Sequence, residues 1–124
     1  MSVAAAGKGE RLCRSETLRR TAEYQRCYQN GSRRHGPLLV VHYLKNELGH
    51  PRLGTAVSRK VGGAVVRNRL KRWTRDCFRR AGWRAALPAL DLVVQPKPVA
   101  GAARFSDYCQ ELGRLVTQLP RGGR

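Results

Sequence analysis

The sequence of 124 residues predicts a single small α+β domain, with helices packed on a small mixed sheet. Three stretches place apolar residues at three- and four-residue steps, which is typical of amphipathic helices. Three other stretches are short, apolar and rich in β-branched residues, which is typical of strands. The predicted order is helix, strand, strand, helix, strand, helix, and a chain this short has residues for only one core.

The first half of the chain predicts a helix followed by two strands. The helix ends at Asn30-Gly31, because glycine tolerates the left-handed conformation that closes a helix. Ser32–Pro37 is interpreted as a basic loop. Leu38–Leu44 and Leu53–Arg59 are the predicted strands, and Asn46–Pro51 between them carries turn-forming residues. We therefore expect the two strands to pair as a hairpin.

The second half of the chain predicts a long helix, a buried strand and a final helix. Gly62-Gly63 interrupts the strand pattern, and a helix is predicted from Ala64 to Ala81. Asp91–Gln95 has the apolar composition of a buried strand. Ser106–Leu119 forms the last helix, because its apolar residues recur on one side.

The charge of the chain indicates its class of partner. There are 25 Lys and Arg residues against 8 Asp and Glu, which leaves a net charge of +17, and such a charge implies a polyanion such as nucleic acid. No apolar run approaches the roughly 18 residues that a membrane helix needs, so no membrane partner is expected. The N-terminus lacks a secretory signal, so a cytoplasmic location is expected. We divide the chain into a disordered tail (1–10), an RNA-binding domain (11–119) and a basic tail (120–124).

The cysteines and histidines are spaced too widely to predict a metal site, and no pair of cysteines has the spacing of a zinc ligand set. We expect the cysteines to be reduced thiols buried as small apolar residues, with a disulfide as the alternative. These residues are Cys13, Cys27, Cys77, Cys109, His35, His42 and His50.

The long helix divides into an apolar and a cationic face. At about 100° per residue, its apolar residues fall on one side of the helix. The opposite side carries a set that we call the cationic stripe: Arg67, Asn68, Lys71, Arg72, Arg75 and Arg79.

A row of charges on a helix is commonly a solvated face, but two features favour phosphate binding here. Asp76 is the one acidic residue among seven cations between Arg67 and Arg80, so ion pairs within the helix do not explain the row. Arginine also predominates, and its planar guanidinium suits bidentate contact with phosphate. The stripe therefore predicts contacts with a nucleic-acid backbone.

A longer motif resembles the bacterial ribonuclease P protein subunit. Its residues run Gly54-x-Ala56-Val57-Ser58-Arg59-Lys60-Val61-Gly62-x-Ala64-Val65-x-Arg67-Asn68-Arg69-Leu70-Lys71-Arg72-x-x-Arg75-x-x-Phe78-Arg79. The resemblance extends to Leu48-Gly49-His50-Pro51-Arg52 before the second strand. It implies a left-handed strand–helix–strand crossover, whereas such connections are otherwise nearly always right-handed.

The resemblance also implies a function. The protein would bind a catalytic RNA and the 5′ leader of precursor tRNA, and so assist endonucleolytic removal of the leader. In this family the RNA holds Mg²⁺ and hydrolyses the phosphodiester, with one protein and one RNA as the functional unit. The sequence agrees, because no paired carboxylates, Ser/His/Asp set or metal cluster indicates a protein nuclease centre.

The residues that match the family motif are predicted to bind RNA. The resemblance further implies that Tyr24 and Tyr28 line a cleft between helix and sheet, where they would stack on the leader. The alternative for the tyrosines is ordinary core packing. The predicted RNA-binding residues are Arg59, Lys60, Arg67, Asn68, Arg69, Lys71, Arg72, Arg75 and Arg79.

Several of these positions have alternative roles. Asn68 could cap the helix or bond locally, and Arg69 could hold the helix to the sheet or to the preceding loop. Arg59 and Lys60 could be an ordinary charged strand end.

Further aromatic residues fall into three groups. His42 or Tyr43 could fill a further aromatic position of the family's cleft. Trp73 and Phe78 are predicted to be core residues, and Trp83 has no assigned role.

Two other functions remain open. A small ribosomal protein would be equally basic, and it would stay bound to ribosomal RNA. A helix-based DNA reader is less favoured, because no helix-turn-helix pattern precedes the stripe and Asn68 alone resembles a base reader.

Overall fold

The computed structural model describes residues 17–80 and 89–119. Its helices are α1 (Thr21–Asn30), α2 (Ala64–Arg80) and α3 (Phe105–Thr117), and its strands are β1 (Ser32–His35), β2 (Leu39–Lys45), β3 (Arg52–Thr55) and β4 (Leu90–Pro96). Short 3-10 turns lie at Arg59–Val61 and Pro98–Ala102. The predicted tails and Trp83 lie outside the described residues. The predicted α+β class is confirmed.

The sheet has the order β1-β2-β4-β3. β2 pairs antiparallel with β1 and β4, and β3 pairs parallel with β4. The predicted hairpin is therefore wrong, because β4 lies between the two strands that were expected to pair. From Leu90 to Val94 every residue of β4 is buried, and a strand with this composition takes the centre of a sheet. α2 connects the parallel strands β3 and β4, and the left hand of this crossover stays a prediction.

A polar edge strand replaces the predicted loop at Ser32–Pro37. β1 pairs along β2 from Ser32 opposite Tyr43 to His35 opposite Val40. Its side chains show no apolar alternation, so the sequence carries no local strand signal there. The strand forms because its backbone completes the hydrogen bonding of β2, while charged side chains occupy the exposed edge. Arg34 also donates from Nη2 to the carbonyl of Gln118 at 2.7 Å.

The two faces of the sheet carry different layers. Successive side chains of a strand alternate between faces, and Leu39, Val41 and Tyr43 of β2 point toward α2 and α3. The smaller cluster on the other face joins Cys27 of α1 to Val93 of β4. The larger, continuous core therefore lies on the α2–α3 side.

The buried side of α2 is rotated from the apolar side that its periodicity predicts, because Thr74 and Phe78 are buried whereas Val66 and Trp73 are half-buried. Leu70, Thr74, Cys77 and Phe78 are buried, and the Thr74 hydroxyl bonds to the Tyr108 hydroxyl of α3 at 2.7 Å. Phe78 is thus a core residue, as predicted. The helix was expected to reach Ala81, which lies outside the described residues.

A disulfide joins α2 to α3. Cys77 and Cys109 are bonded, with their Cα atoms 5.5 Å apart. The expectation of reduced thiols is therefore wrong for this pair, because the packing of the two helices brings positions 32 residues apart into bonding distance. Cys27 is free and buried, as expected.

Candidate nucleic-acid interface

The cationic stripe lies on the side of α2 that faces away from the core. Asn68, Arg72 and Arg75 are the members of the stripe whose side chains are exposed. In the part of the chain that the structure describes, Arg72 and Arg75 have no carboxylate partner. Three hydrogen-bonding side chains over about two turns of the helix are therefore available to an external anion.

The other three members of the stripe are more constrained. Arg67 is half-buried and donates from Nε to the carbonyl of Gly62 at 3.2 Å. Arg79 forms an ion pair with Asp76 at 2.8 Å, and Lys71 is half-buried. These three side chains are half-buried, so the exposed part of the stripe is smaller than the helical wheel alone predicts.

Arg59 and Lys60 lie on the 3-10 turn before α2, not at the end of a strand as expected. β3 ends at Thr55, and the chain then turns so that both side chains are exposed. Ser58 caps this turn, because its hydroxyl oxygen accepts the Lys60 amide at 3.2 Å. The turn extends the positive surface in front of α2.

Arg69 is held away from the stripe by the C-terminal part of the chain. Its Nη2 donates to the carbonyl of Gly101 at 2.8 Å, and its guanidinium carbon lies 5.2 Å from the centre of the Trp73 ring. Arg69 thus holds α2 to the turn at Pro98–Ala102, which is neither the sheet nor the preceding loop. Gly101 approaches the carbonyl of Val61 so closely that a Cβ would lie 2.9 Å from that oxygen.

On the other face of the sheet, Tyr24 and Tyr28 differ in their exposure and in their contacts. Tyr24 is half-buried, and its hydroxyl accepts the Thr55 amide at 3.3 Å and donates to the Leu18 carbonyl at 3.4 Å. A Cβ on Gly54 would lie 2.8 Å from this hydroxyl, so glycine is what permits the contact. Tyr24 therefore anchors α1 to β3.

Tyr28 stands at the open end of the same face. Its ring is 42 % exposed and meets the His42 ring edge-on, with centroids 4.9 Å apart. Partial burial raises the pKa of its hydroxyl, which therefore remains protonated and able to donate a hydrogen bond. Of the two tyrosines, this one offers its ring to a ligand.

Sequence reasoning missed the partner of His42. The Nε2 atom of His42 lies 2.9 Å from Oε1 of Gln95, which is exposed on β4. Arg33 of β1 is opposite His42 in the sheet register, so it lies on the same face. Gln95 interrupts the apolar run of β4, and that interruption was the available signal. His42, not Tyr43, lies on this face, because Tyr43 points into the core.

A buried ion-pair network holds α1 to the sheet. Asp91 of β4 is fully buried and accepts hydrogen bonds from Arg52 Nε at 2.9 Å, Arg52 Nη2 at 2.8 Å and Asn46 Nδ2 at 2.8 Å. Arg52 Nη1 reaches Glu23 of α1 at 2.9 Å. The network fixes the position of α1, and with it the position of Tyr28.

Glu23 also caps α1. Its carboxylate accepts the backbone amides of Arg20 at 3.0 Å and Arg19 at 2.8 Å. These two bonds, together with Arg52, lower the pKa of Glu23 from 4.5 to about 2. The carboxylate is therefore ionised wherever the protein is folded near neutral pH.

The described residues offer little protein chemistry of their own. Burial raises the pKa of the Cys27 thiol to about 12, so this group is not a nucleophile. Within residues 17–80 and 89–119 no three His, Cys, Asp or Glu side chains come together to hold a metal ion. No helix in the same ranges is long and apolar enough to cross a membrane.

A small sheet with an arginine-faced helix on one side and an open aromatic face on the other defines a basic RNA-binding α+β domain. The family model described as Ribonuclease P matches residues 12–120 of the chain. The chain belongs to the ribonuclease P protein family, as its motif predicted.

Curated relatives agree with this assignment. The ribonuclease P protein component of Syntrophus aciditrophicus (strain SB) is 36 % identical over 110 residues, which cover 89 % of this chain and 92 % of that protein. That of Desulfovibrio desulfuricans (strain ATCC 27774) is 40 % identical over 116 residues, covering 91 % of this chain and 87 % of the relative.

Solved structures match as well. The ribonuclease P protein of Thermotoga maritima has a TM-score of 0.77 and 31 % identity, over 85 % of this chain and 98 % of its own. That of Staphylococcus aureus has a TM-score of 0.76 and 29 % identity, over 82 % and 93 %. These comparisons confirm the predicted role of a ribonuclease P subunit in tRNA 5′ processing, and they give the ribosomal alternative no support.

Proposed function

We propose that this subunit binds the catalytic RNA of ribonuclease P through the cationic stripe, with Arg59 and Lys60 extending the same surface. The observation that carries the proposal is the exposure of Arg72 and Arg75 on the helix face opposite the core. Neutralising phosphates releases counterions from the RNA, which supplies much of the binding free energy. Asn68 lies between these arginines on the wheel and contributes a hydrogen-bonding group at the same surface.

We infer that the 5′ leader of precursor tRNA lies against the α1 face of the sheet. Tyr28 offers an open ring there, and His42, Gln95 and Arg33 lie on the same face. Stacking on an aromatic ring tolerates any base, which suits a leader of variable sequence. Tyr24 supports the site indirectly, because it anchors the helix that carries Tyr28.

In this proposal the RNA subunit holds Mg²⁺, which supplies the Lewis acid and the activated water for phosphodiester hydrolysis. The side chains of the described residues do not fit a metal ion, so we assign no step to a protein-bound metal. The polypeptide binds the catalytic RNA on one side of its sheet and orients the leader on the other. One protein acts with one RNA, in the cytoplasm where precursor tRNA is made.

Reconstitution tests the proposal. We expect the protein, added to a bacterial ribonuclease P RNA at low Mg²⁺, to restore cleavage of the leader, because the stripe replaces part of the counterion screening that Mg²⁺ supplies. The measurement is single-turnover cleavage of labelled precursor tRNA. An RNA that cleaves equally well without the protein, or a purified RNA-free protein that cleaves by itself, would contradict the proposal.

The leader site has its own test. In the reconstituted enzyme, Tyr28→Ala should weaken binding of precursor tRNA by about 1–3 kcal/mol, the value of one stacked base, and leave mature tRNA binding unchanged. Tyr28→Phe is the matched control and should retain affinity because it keeps the ring. Equal losses for both tRNAs would place Tyr28 outside a leader site.

A further inference from the structure

A second aromatic surface lies where α2 meets the start of α3. Trp73 of α2 and Phe105 of α3 meet edge-on, with ring centroids 5.5 Å apart and planes at 68°. Trp73 is half-buried against the core, whereas Phe105 is 38 % exposed. Tyr108 supports Trp73 from below at 5.8 Å. An aromatic pair thus reaches the surface beside the cationic stripe.

Arg69 completes this surface. Its bond to the Gly101 carbonyl holds the guanidinium beside the Trp73 ring. A cation over an indole ring is attracted by the ring quadrupole, so the two groups stabilise each other's position. We define the stacking platform as Arg69, Trp73 and Phe105. It is built from a fixed cation and two rings supported by the core.

Its surroundings favour an RNA ligand over a protein. Arg72 of the stripe lies one helical turn from Arg69, and Arg104 is exposed next to Phe105. Unpaired bases stack on aromatic rings and on arginine planes, while their phosphates need nearby cations. An exposed ring bordered by arginines matches both requirements.

We propose that the stacking platform binds one unpaired base of the catalytic RNA, next to the backbone phosphates that the stripe contacts. This inference rests on the proposed function. The leader is excluded as the occupant by position: α2 and α3 cover one face of the sheet, and the proposed leader site lies on the other. The platform and the leader site therefore contact different RNAs, and they should separate in binding experiments.

The test uses the full chain and a bacterial ribonuclease P RNA, and it measures affinity across a salt series. Phe105→Ala should weaken binding of the catalytic RNA about 5- to 150-fold, which corresponds to the loss of one stacked base. Because stacking involves no counterion, the dependence on salt should keep its slope. Phe105→Tyr should restore affinity, since tyrosine keeps the ring. Val99→Ala removes an exposed apolar side chain from the neighbouring turn, and it should change nothing.

Two further measurements separate the platform from general damage. Affinity of the assembled enzyme for precursor tRNA should be the same with Phe105→Ala as with the wild type. In a Trp83→Phe background, fluorescence of Trp73 should be quenched on addition of the catalytic RNA. The quenching reports contact even if a substitution lowers stability.

The outcomes distinguish this proposal from the proposed function. Wild-type affinity of Phe105→Ala, or no change in Trp73 fluorescence, would overturn the platform while leaving the stripe intact. If Phe105→Ala weakened binding of precursor tRNA but not of the catalytic RNA, the platform would be overturned as well, because it would then contact the leader. Failure of the wild-type protein to bind the RNA would instead refute the proposed function.

Discussion

Arginines on the two sides of the sheet differ in their burial and in their carboxylate partners. On the α1 side, Arg52 is almost fully buried and bonded to both Asp91 and Glu23. On the α2 side, Arg72 and Arg75 are exposed and have no carboxylate partner among the described residues. The same side chain is structural where carboxylates surround it and is left open to solvent where they are absent.

The two helices are also attached to the sheet differently. α1 has a small apolar cluster, and ion pairs supply much of its attachment. α2 packs with α3 on the large core, and a disulfide joins the two helices. Because apolar packing holds α2, exposed charges such as Arg72 and Arg75 are left open to a ligand, whereas α1 uses ion pairs for its attachment.

The largest expected effect comes from breaking the buried network on the α1 side. Arg52→Met leaves the Asp91 carboxylate buried without its main partner, which should lower the free energy of unfolding by about 3–5 kcal/mol. Urea unfolding followed by circular dichroism measures it. Arg26→Met is the matched control, because Arg26 is 53 % exposed and lies 3.6 Å from the same carboxylate. Arg26→Met should lower the free energy of unfolding by less than about 1 kcal/mol. Equal losses for the two variants would refute the contrast between the buried and the exposed arginine.

The second effect concerns the attachment on the α2 side. The disulfide closes a separation of 32 residues, so its loss should lower the free energy of unfolding by about 3–4 kcal/mol through loop entropy. Dithiothreitol should reduce the stability of the wild type toward that of Cys77→Ala with Cys109→Ala. The double variant itself should not respond to the reductant. A wild type that is indifferent to reduction would show that apolar packing alone holds α2 to α3.

The third effect lies on the stripe and concerns binding. Arg72→Ala with Arg75→Ala should reduce the log–log salt slope for the catalytic RNA by roughly 1.4–1.8, since each lost phosphate contact removes about 0.7–0.9. Stability should not change, because both side chains are exposed. Arg26→Ala, an exposed arginine of α1, serves as the control and should leave the slope unaltered. An unchanged slope in the double variant would remove the stripe from the interface.

The smallest effect is a pH dependence on the α1 side. Because folding lowers the pKa of Glu23 from 4.5 to about 2, this carboxylate contributes stability above pH 4.5 that is lost as the pH falls toward 2. Between pH 4.5 and about 2, Glu23→Gln should therefore lose less stability than the wild type. Unfolding curves at a series of pH values measure the difference. If the stability of wild type and variant fell in parallel as the pH is lowered, the bonds of Glu23 to α1 and Arg52 would not favour its ionised form.

Much of the site could be predicted from the sequence because helical periodicity is local. The exposure of Arg72 and Arg75, and the burial of Leu70 and Cys77, follow from the 3.6-residue repeat of α2. The α+β class followed from the element types in the same way. The strand pairing did not, because the sequence of β3 specifies an apolar strand but not its neighbour.

Other features depend on residues far apart in the chain. Arg52 and Asp91 are 39 positions apart, and nothing local marks them as partners. β1 has no apolar alternation, so only β2 makes it a strand. The motif grouped Arg69 with the predicted RNA-binding residues, and only the fold shows that its guanidinium bonds to Gly101 and lies beside Trp73. Spacing alone made Tyr24 and Tyr28 equivalent, and contact with β3 makes them different.

The sequence by itself determined that this protein is a cationic α+β domain with arginines along one helix face, because charge count and helical period are properties of neighbouring residues. Only the tertiary structure decided which arginines are exposed and without a carboxylate partner among the described residues. That outcome depends on where the few carboxylates lie in space, and the position of Asp91 follows from the order of the strands in the sheet.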